Sequence, residues 1–224
     1  FSIVQFYERR IRRILPALFF VTATCLPFAW LWLTPSEFKD FCQSLVAVNL
    51  FSSNVLFWTE SGYFDAAAEL KPLLHTWSLA VEEQFYLFFP LLLMGFRRLG
   101  RQFLFGLISI ICLLSLGLSE WGSKAFPSAN FYLLPSRIWE LGFGALLALS
   151  TNRWSNVGGW RAQFGSSLGF GMVLWSIFAF DKHTPFPSVW TLIPVMGTVL
   201  IIAFARSSTI TGRILSWKPM IQIG

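Results

Sequence analysis

Residues 14–33, ILPALFFVTATCLPFAWLWL, run for 20 residues without a charged side chain. On a helix rising about 1.5 Å per residue, that length matches the roughly 30 Å hydrocarbon layer of a bilayer. Similar runs cover 102–119, 162–180 and 186–205, while 41–58, 75–96 and 133–150 are apolar stretches with polar groups set into them. The expected fold is therefore an all-α, polytopic integral membrane helical bundle with about seven membrane segments. Neither an internal repeat nor a long linker divides 1–224 into two domains. Only 12% of the residues are charged, about half the supply with which a water-soluble domain coats itself.

The basic residues lie in short clusters between these runs: Arg9, Arg10, Arg12 and Arg13; Arg97, Arg98 and Arg101; Arg153 and Arg161; Arg206, Arg213 and Lys218. Such clusters orient membrane helices with their basic ends in the cytoplasm, and no stacking platform accompanies them, so the net charge of +6 does not point to nucleic acid. From residue 97 onward, alternate crossings satisfy this arrangement. Between 34 and 97, two full crossings would put the Arg97 cluster on the wrong side. Either 41–58 is a shallow, re-entrant segment with the acidic loop of Glu60, Asp65 and Glu69 outside, or it crosses simply and the rule is broken there.

Within 72–90, PLLHTWSLAVEEQFYLFFP, ionisable groups are placed where each costs about 2.5–3.5 kcal/mol at the centre of a span. On one continuous helix His75, Leu79, Glu82 and Tyr86 share a stripe, and Glu83 points about 100° away. That makes Glu82 the favoured carboxylate, of a type suited to proton transfer; the competing reading is a polar seam that joins helices. Arg10 and Arg13, three apart ahead of the first run, suit bidentate phosphate contacts or serve as headgroup anchors. Arg137 and Glu140 are spaced for an internal ion pair, and Gly142, Gly144, Gly165 and Gly169 for close helix approach. Cys25, Cys42 and Cys112 read as small buried hydrophobes, and no metal-ligand cluster, phosphate loop or nucleophile elbow is present in the sequence.

FYERRIRRILPAL (6–18), PLLHTWSLAVEEQFYLFFPLL (72–92), LLPSRIWELGFGALLA (133–148) and WTLIPVMGTVLIIAF through SWKPMIQIG (190–224) resemble, in order and spacing, segments of the membrane acyltransferase-3 family. These are bacterial O-acyltransferases of lipopolysaccharide O-antigen, peptidoglycan and other exported glycans. The resemblance implies a domain of about ten spans in the bacterial cytoplasmic membrane, of which this chain would be an interior part. It implies acetyl-CoA or another acyl-CoA as donor substrate, with no bound cofactor, and a glycan acceptor on the outer face. It carries donor contacts onto Arg10 and Arg13, the family's Trp-Ser-Leu-x-x-Glu pattern onto Trp77, Ser78, Leu79 and Glu82, and cavity-lining roles onto Arg137 and Glu140. The family's catalytic histidine would lie upstream of Phe1, which leaves His75 and Tyr86 supporting roles beside Glu82. A downstream extracytoplasmic domain would complete some relatives. The rival reading is a secondary transporter or flippase with buried carboxylates.

Overall fold

A computed structural model of the chain describes residues 2–61, 71–154, 157–181 and 184–223. Helices dominate, and among the described residues there is no β-strand. Among the described residues four helices are long and apolar enough to cross a membrane: α1 (Ile3–Trp32), α4 (Thr76–Phe96), α5 (Arg101–Ala125) and α8 (Gly159–Ala179). Large apolar side chains stand on their outer surfaces, among them Phe20, Trp30 and Leu114 at 70% exposure or more and Phe178 at 85%. A water-soluble surface does not carry such a density of exposed aromatic and aliphatic groups. The protein is a membrane protein.

The expected seven segments reduce to these four plus shorter pieces. The segments expected at 133–150 and 186–205 hold the apolar helical stretches Ile138–Thr151 and Val189–Phe204. The first of these belongs to a helix of 17 residues, Ile138–Trp154, about 26 Å at 1.5 Å per residue and near the lower limit for a span. The stretch 41–58 is not one helix: it divides into α2 (Pro35–Asn49) and α3 (Ser53–Thr59). Phe51, at φ +51°, turns the chain between them, in a region that side chains other than glycine seldom adopt. Asp65 and Glu69 of the expected acidic loop lie outside the described residues.

The chain forms two compact units. The first comprises residues 1–95 and 132–134. Helix α1 starts at Ser2, whose hydroxyl accepts from the Gln5 amide, and continues through Pro16 and Pro27. A capping box of Thr34 and Glu37, with Pro35 in the first turn, starts α2 immediately afterwards: two orphan amide donors are satisfied where the chain must reverse. Leu18 and Ala29 of α1, Phe41 and Val48 of α2, and Leu73 ahead of α4 form the apolar core of this unit. The α2–α3 break is held by hydrogen bonds from α4. Gln84 donates through Nε2 to the Phe51 carbonyl at 2.9 Å and to Asn54 Oδ1 at 2.8 Å. Asn54, 1% exposed, donates in turn to the Tyr132 carbonyl. Backbone groups freed by a break inside an apolar protein require such partners.

The second unit, residues 96–131 and 135–224, contains α5, α6 (Pro127–Tyr132, up to Phe131), α7 (Ile138–Trp154), α8, α9 (Leu192–Phe204), α10 (Ile210–Leu215) and α11 (Lys218–Ile223). Its tightest packing is between α8 and α9. A Cβ added to Gly169 would lie 2.6 Å from the Gly197 carbonyl oxygen, and one added to Gly197 would lie 2.8 Å from that of Gly169. Gly165 lies against the Phe204 ring and Gly142 against the Cys112 sulfur. Close approach expected at Gly142, Gly165 and Gly169 is present; a Cβ on Gly144 would meet open space.

Candidate functional site

Two helices build the polar centre of the first unit. On α1, Tyr7 and Arg10 lie three residues apart and face α4. The Tyr7 hydroxyl donates to the Leu87 carbonyl at 2.9 Å. Arg10 then lies within a carboxylate pair. Its Nε donates to both oxygens of Glu83, at 2.8 and 3.0 Å, while Nη2 lies 2.6 Å from Glu83 Oε1 and 3.1 Å from Glu82 Oε1. The guanidinium carbon stands 3.3 Å from the centre of the Tyr86 ring, well inside the range of a cation–π contact.

Glu83 therefore shares the site, contrary to the stripe that separated it from Glu82. Its side chain is 14% exposed against 44% for Glu82, and it takes the two-pronged contact. The helical geometry is as expected, with successive residues about 100° apart. A planar fork with five donors nevertheless bridges two neighbouring carboxylates from above their common edge. Glu82 engages Arg10 through one oxygen only, and its second oxygen has no hydrogen-bond partner among the described residues.

Arg13 is set apart from Arg10. A step of three residues turns about 60° short of a full circle, so successive members of the Tyr7, Arg10, Arg13 series rotate away from α4. Arg13 is exposed and has no hydrogen bond or ion pair among the described residues. The two arginines that the spacing grouped are thus one that is enclosed and one that is open.

His75 does not belong to the helical stripe. Helix α4 begins at Thr76, and His75 occupies the preceding turn, exposed, with its carbonyl accepting from the Ser78 hydroxyl at 3.1 Å. Glu82 lies about two turns further along, so the three supporting residues are not gathered: Glu82 and Tyr86 meet at Arg10, and His75 and Ser78 lie near the helix start. Trp77 is half-buried with its ring edge-on to Tyr132, 5.8 Å between centres. Near the same end, Lys71 pairs with Glu60 at 2.6 Å. Neither Lys71, Tyr7 nor Gln84 stood out in the sequence, where each looked like an isolated polar residue.

In the second unit Arg137 and Glu140 form the expected ion pair, Nη1 to Oε2 at 3.3 Å. Arg137, only 7% exposed in its side chain, donates through Nε to the Phe131 carbonyl at 2.7 Å and lies about 5 Å from the rings of Phe131 and Phe186. Glu140 Oε1 is buried without a hydrogen-bond partner. Helix α7 starts only at Ile138, so the pair spans the helix entry rather than a helical face.

Comparisons with known proteins give these arrangements a context. The family model described as an acyltransferase domain, of the acyltransferase-3 type, matches residues 1–220. An uncharacterized protein of Haemophilus influenzae is 34% identical over 90% of this chain and 86% of its own length. The putative peptidoglycan O-acetyltransferase YrhL of Bacillus subtilis is 29% identical over 98% of the chain, and the O-acetyltransferase OatA of Staphylococcus aureus 33% identical over all of it. The chain spans 37% and 39%, respectively, of the lengths of these two. No solved structure matches.

Proposed function

The chain belongs to the acyltransferase-3 family, and from that premise we propose that it takes part in moving an acetyl group from acetyl-CoA to a hydroxyl of a cell-envelope glycan. The named relatives support acetyl as the group and peptidoglycan as the acceptor class. The placement is the bacterial cytoplasmic membrane, crossed several times, with the arginine-rich start of α1 on the cytoplasmic side.

The observation that carries this reading is the division of labour between Arg10 and Arg13. Arg10 is neutralised and clamped by Glu82, Glu83 and Tyr86, so it fixes the angle at which α1 leaves α4. Arg13, three residues further and exposed, presents an uncommitted fork to a phosphate of the donor. In the transfer itself, a base removes the acceptor hydroxyl proton, the oxygen attacks the thioester carbonyl, and the carbon–sulfur bond breaks with the proton delivered to the CoA thiolate. The family resemblance assigns that base to a histidine. Glu82, through its free oxygen, orients it or stabilises its charged form, and Tyr86 holds Arg10 while it does so. His75, Ser78 and Trp77 line the approach at the start of α4, and within the second unit Arg137 and Glu140 supply a buried charge pair.

The test is transfer of labelled acetyl from acetyl-CoA by the full-length protein in membranes containing peptidoglycan precursors or fragments. Label in the glycan, diminished in Arg13→Lys when acetyl-CoA is not saturating, supports the reading. A well-folded parent protein that neither binds acetyl-CoA nor transfers the label contradicts it.

A further inference from the structure

Helix α4 carries Pro90 within its length. A proline inside a helix has no amide hydrogen to give the carbonyl four residues back, and its ring crowds that carbonyl. In α4 the carbonyl concerned belongs to Tyr86, the residue whose ring lies beneath the Arg10 guanidinium. In apolar surroundings a carbonyl freed in this way needs a donor from a neighbouring helix.

Tyr7 supplies that donor. Its hydroxyl lies 3.4 Å from the Tyr86 carbonyl oxygen and 2.9 Å from that of Leu87, so one phenol on α1 serves the turn of α4 that Pro90 interrupts. Tyr7 and Arg10 thus hold the same α4 residue at two places, its carbonyl and its ring. The two contacts run antiparallel: three residues onward on α1, from Tyr7 to Arg10, the partners move back along α4 from Leu87 to Glu83. A slip of one turn, about 5.4 Å, would bring the hydroxyl to carbonyls that have amide donors of their own and would carry Arg10 off Glu83. Pro90 is the single proline inside α4, so the helix offers one such carbonyl, and the hydroxyl marks one register.

We propose that Tyr7 is a positioning residue of the donor site: its hydroxyl, paired with the carbonyl that Pro90 leaves without an amide, fixes the register of α1 on α4 at which Arg10 meets Glu83 and Arg13 stands open to a donor phosphate. This role rests on the donor contact proposed for Arg13, and Tyr7 acts through the two arginines rather than on the substrate.

The full-length protein in detergent is compared as parent, Tyr7→Phe, Pro90→Ala and the double variant, by thermal unfolding and by acetyl-CoA binding well below the unfolding temperature. Tyr7→Phe keeps the ring and removes only the hydroxyl. Beside Pro90 it should lower the unfolding temperature by about 2–4 °C and weaken acetyl-CoA binding at least about threefold. In the Pro90→Ala background, where the amide of residue 90 supplies the Tyr86 carbonyl, the same substitution should have less than half of either effect. A tyrosine that serves packing alone would show equal losses in both backgrounds, and that result overturns the proposal; so does undiminished acetyl-CoA affinity in Tyr7→Phe. A well-folded parent protein that binds no acetyl-CoA removes the donor role of Arg13 and this role of Tyr7 with it, an outcome distinct from a parent that binds no more tightly than its Tyr7→Phe variant. Should Tyr7→Phe alone fail to accumulate, recovery of folded protein on adding Pro90→Ala supports the pairing, and no recovery overturns it.

Discussion

Arg10 stands over the ring of Tyr86, 3.3 Å from guanidinium carbon to ring centre, while the adjacent Glu83 takes its Nε and Nη2. The ring contact and the two-pronged carboxylate contact together hold the guanidinium in place. A single α1 side chain is thereby fixed to three α4 residues, Glu82, Glu83 and Tyr86. The phosphate-binding role proposed for Arg13 depends on this fixture, because Arg13 follows on the same helix.

Glu82→Gln and Glu83→Gln should separate stability from rate. Glu83 is the more enclosed partner, and a charge-assisted pair of bonds is lost with it, so Glu83→Gln should lower stability by about 1–3 kcal/mol. Glu82, nearly half exposed, should cost no more than about 1 kcal/mol in stability. Its substitution should instead lower acetyl transfer at least about tenfold, or roughly 1.4 kcal/mol of transition-state stabilisation. Thermal unfolding in detergent and transfer rate, measured on both variants, give the comparison. Equal effects on both quantities would mean that the two carboxylates form one structural clamp.

Gly169 and Gly197 should not tolerate a larger side chain. Each would direct a Cβ to within 3 Å of the other's carbonyl oxygen, and backbone on both sides leaves nothing flexible to yield. Gly169→Val should separate α8 from α9 and reduce the folded yield severely, whereas Gly171→Ala, facing open space, should change yield little. Fluorescence size-exclusion of tagged variants reads both. Normal yield for Gly169→Val would show that the helices are not in contact there.

Acid should loosen the start of α2. The Thr34 amide and then its hydroxyl, both donating to Glu37, hold the Glu37 carboxyl below the ordinary carboxylate range. A depressed carboxylate contributes stability above its unfolded value and loses it as pH falls through the folded one. Protection of the amides in the first turn of α2, taken relative to their intrinsic exchange rates at each pH, should therefore fall on acidification below that ordinary range, and Thr34→Ala should lower the protection and remove its dependence on pH there. Unchanged protection at low pH would separate the cap from Glu37 ionisation.

The sequence made α1, α4, α5 and α8 legible because a charge-free or nearly charge-free run of some 20 residues has one economical conformation in lipid. The Gly165–Gly169 spacing and the Arg137–Glu140 pair were legible for the same reason: both are local. The break at Phe51 was not, since the group that makes it tolerable, the Gln84 amide, lies 33 residues away. Nor was Glu83. A helical stripe treats a side chain as a direction, whereas the arginine that faces it from another helix has the reach to take both carboxylates. His75 fell from the stripe because the helix begins one residue after it, a boundary that periodicity does not locate.

Binding of acetyl-CoA to the full-length protein in detergent, compared between Arg13→Lys and Arg10→Lys, tests the central claim most directly. Lysine keeps the charge and removes the two-pronged contact. Arg13→Lys should weaken acetyl-CoA binding at least about fivefold, near 1 kcal/mol, with unfolding temperature unchanged, while Arg10→Lys should lower the unfolding temperature through loss of its hold on Glu83 and Tyr86. Undiminished acetyl-CoA affinity in a well-folded Arg13→Lys protein would contradict the account and leave Arg13 as a headgroup anchor at the membrane surface.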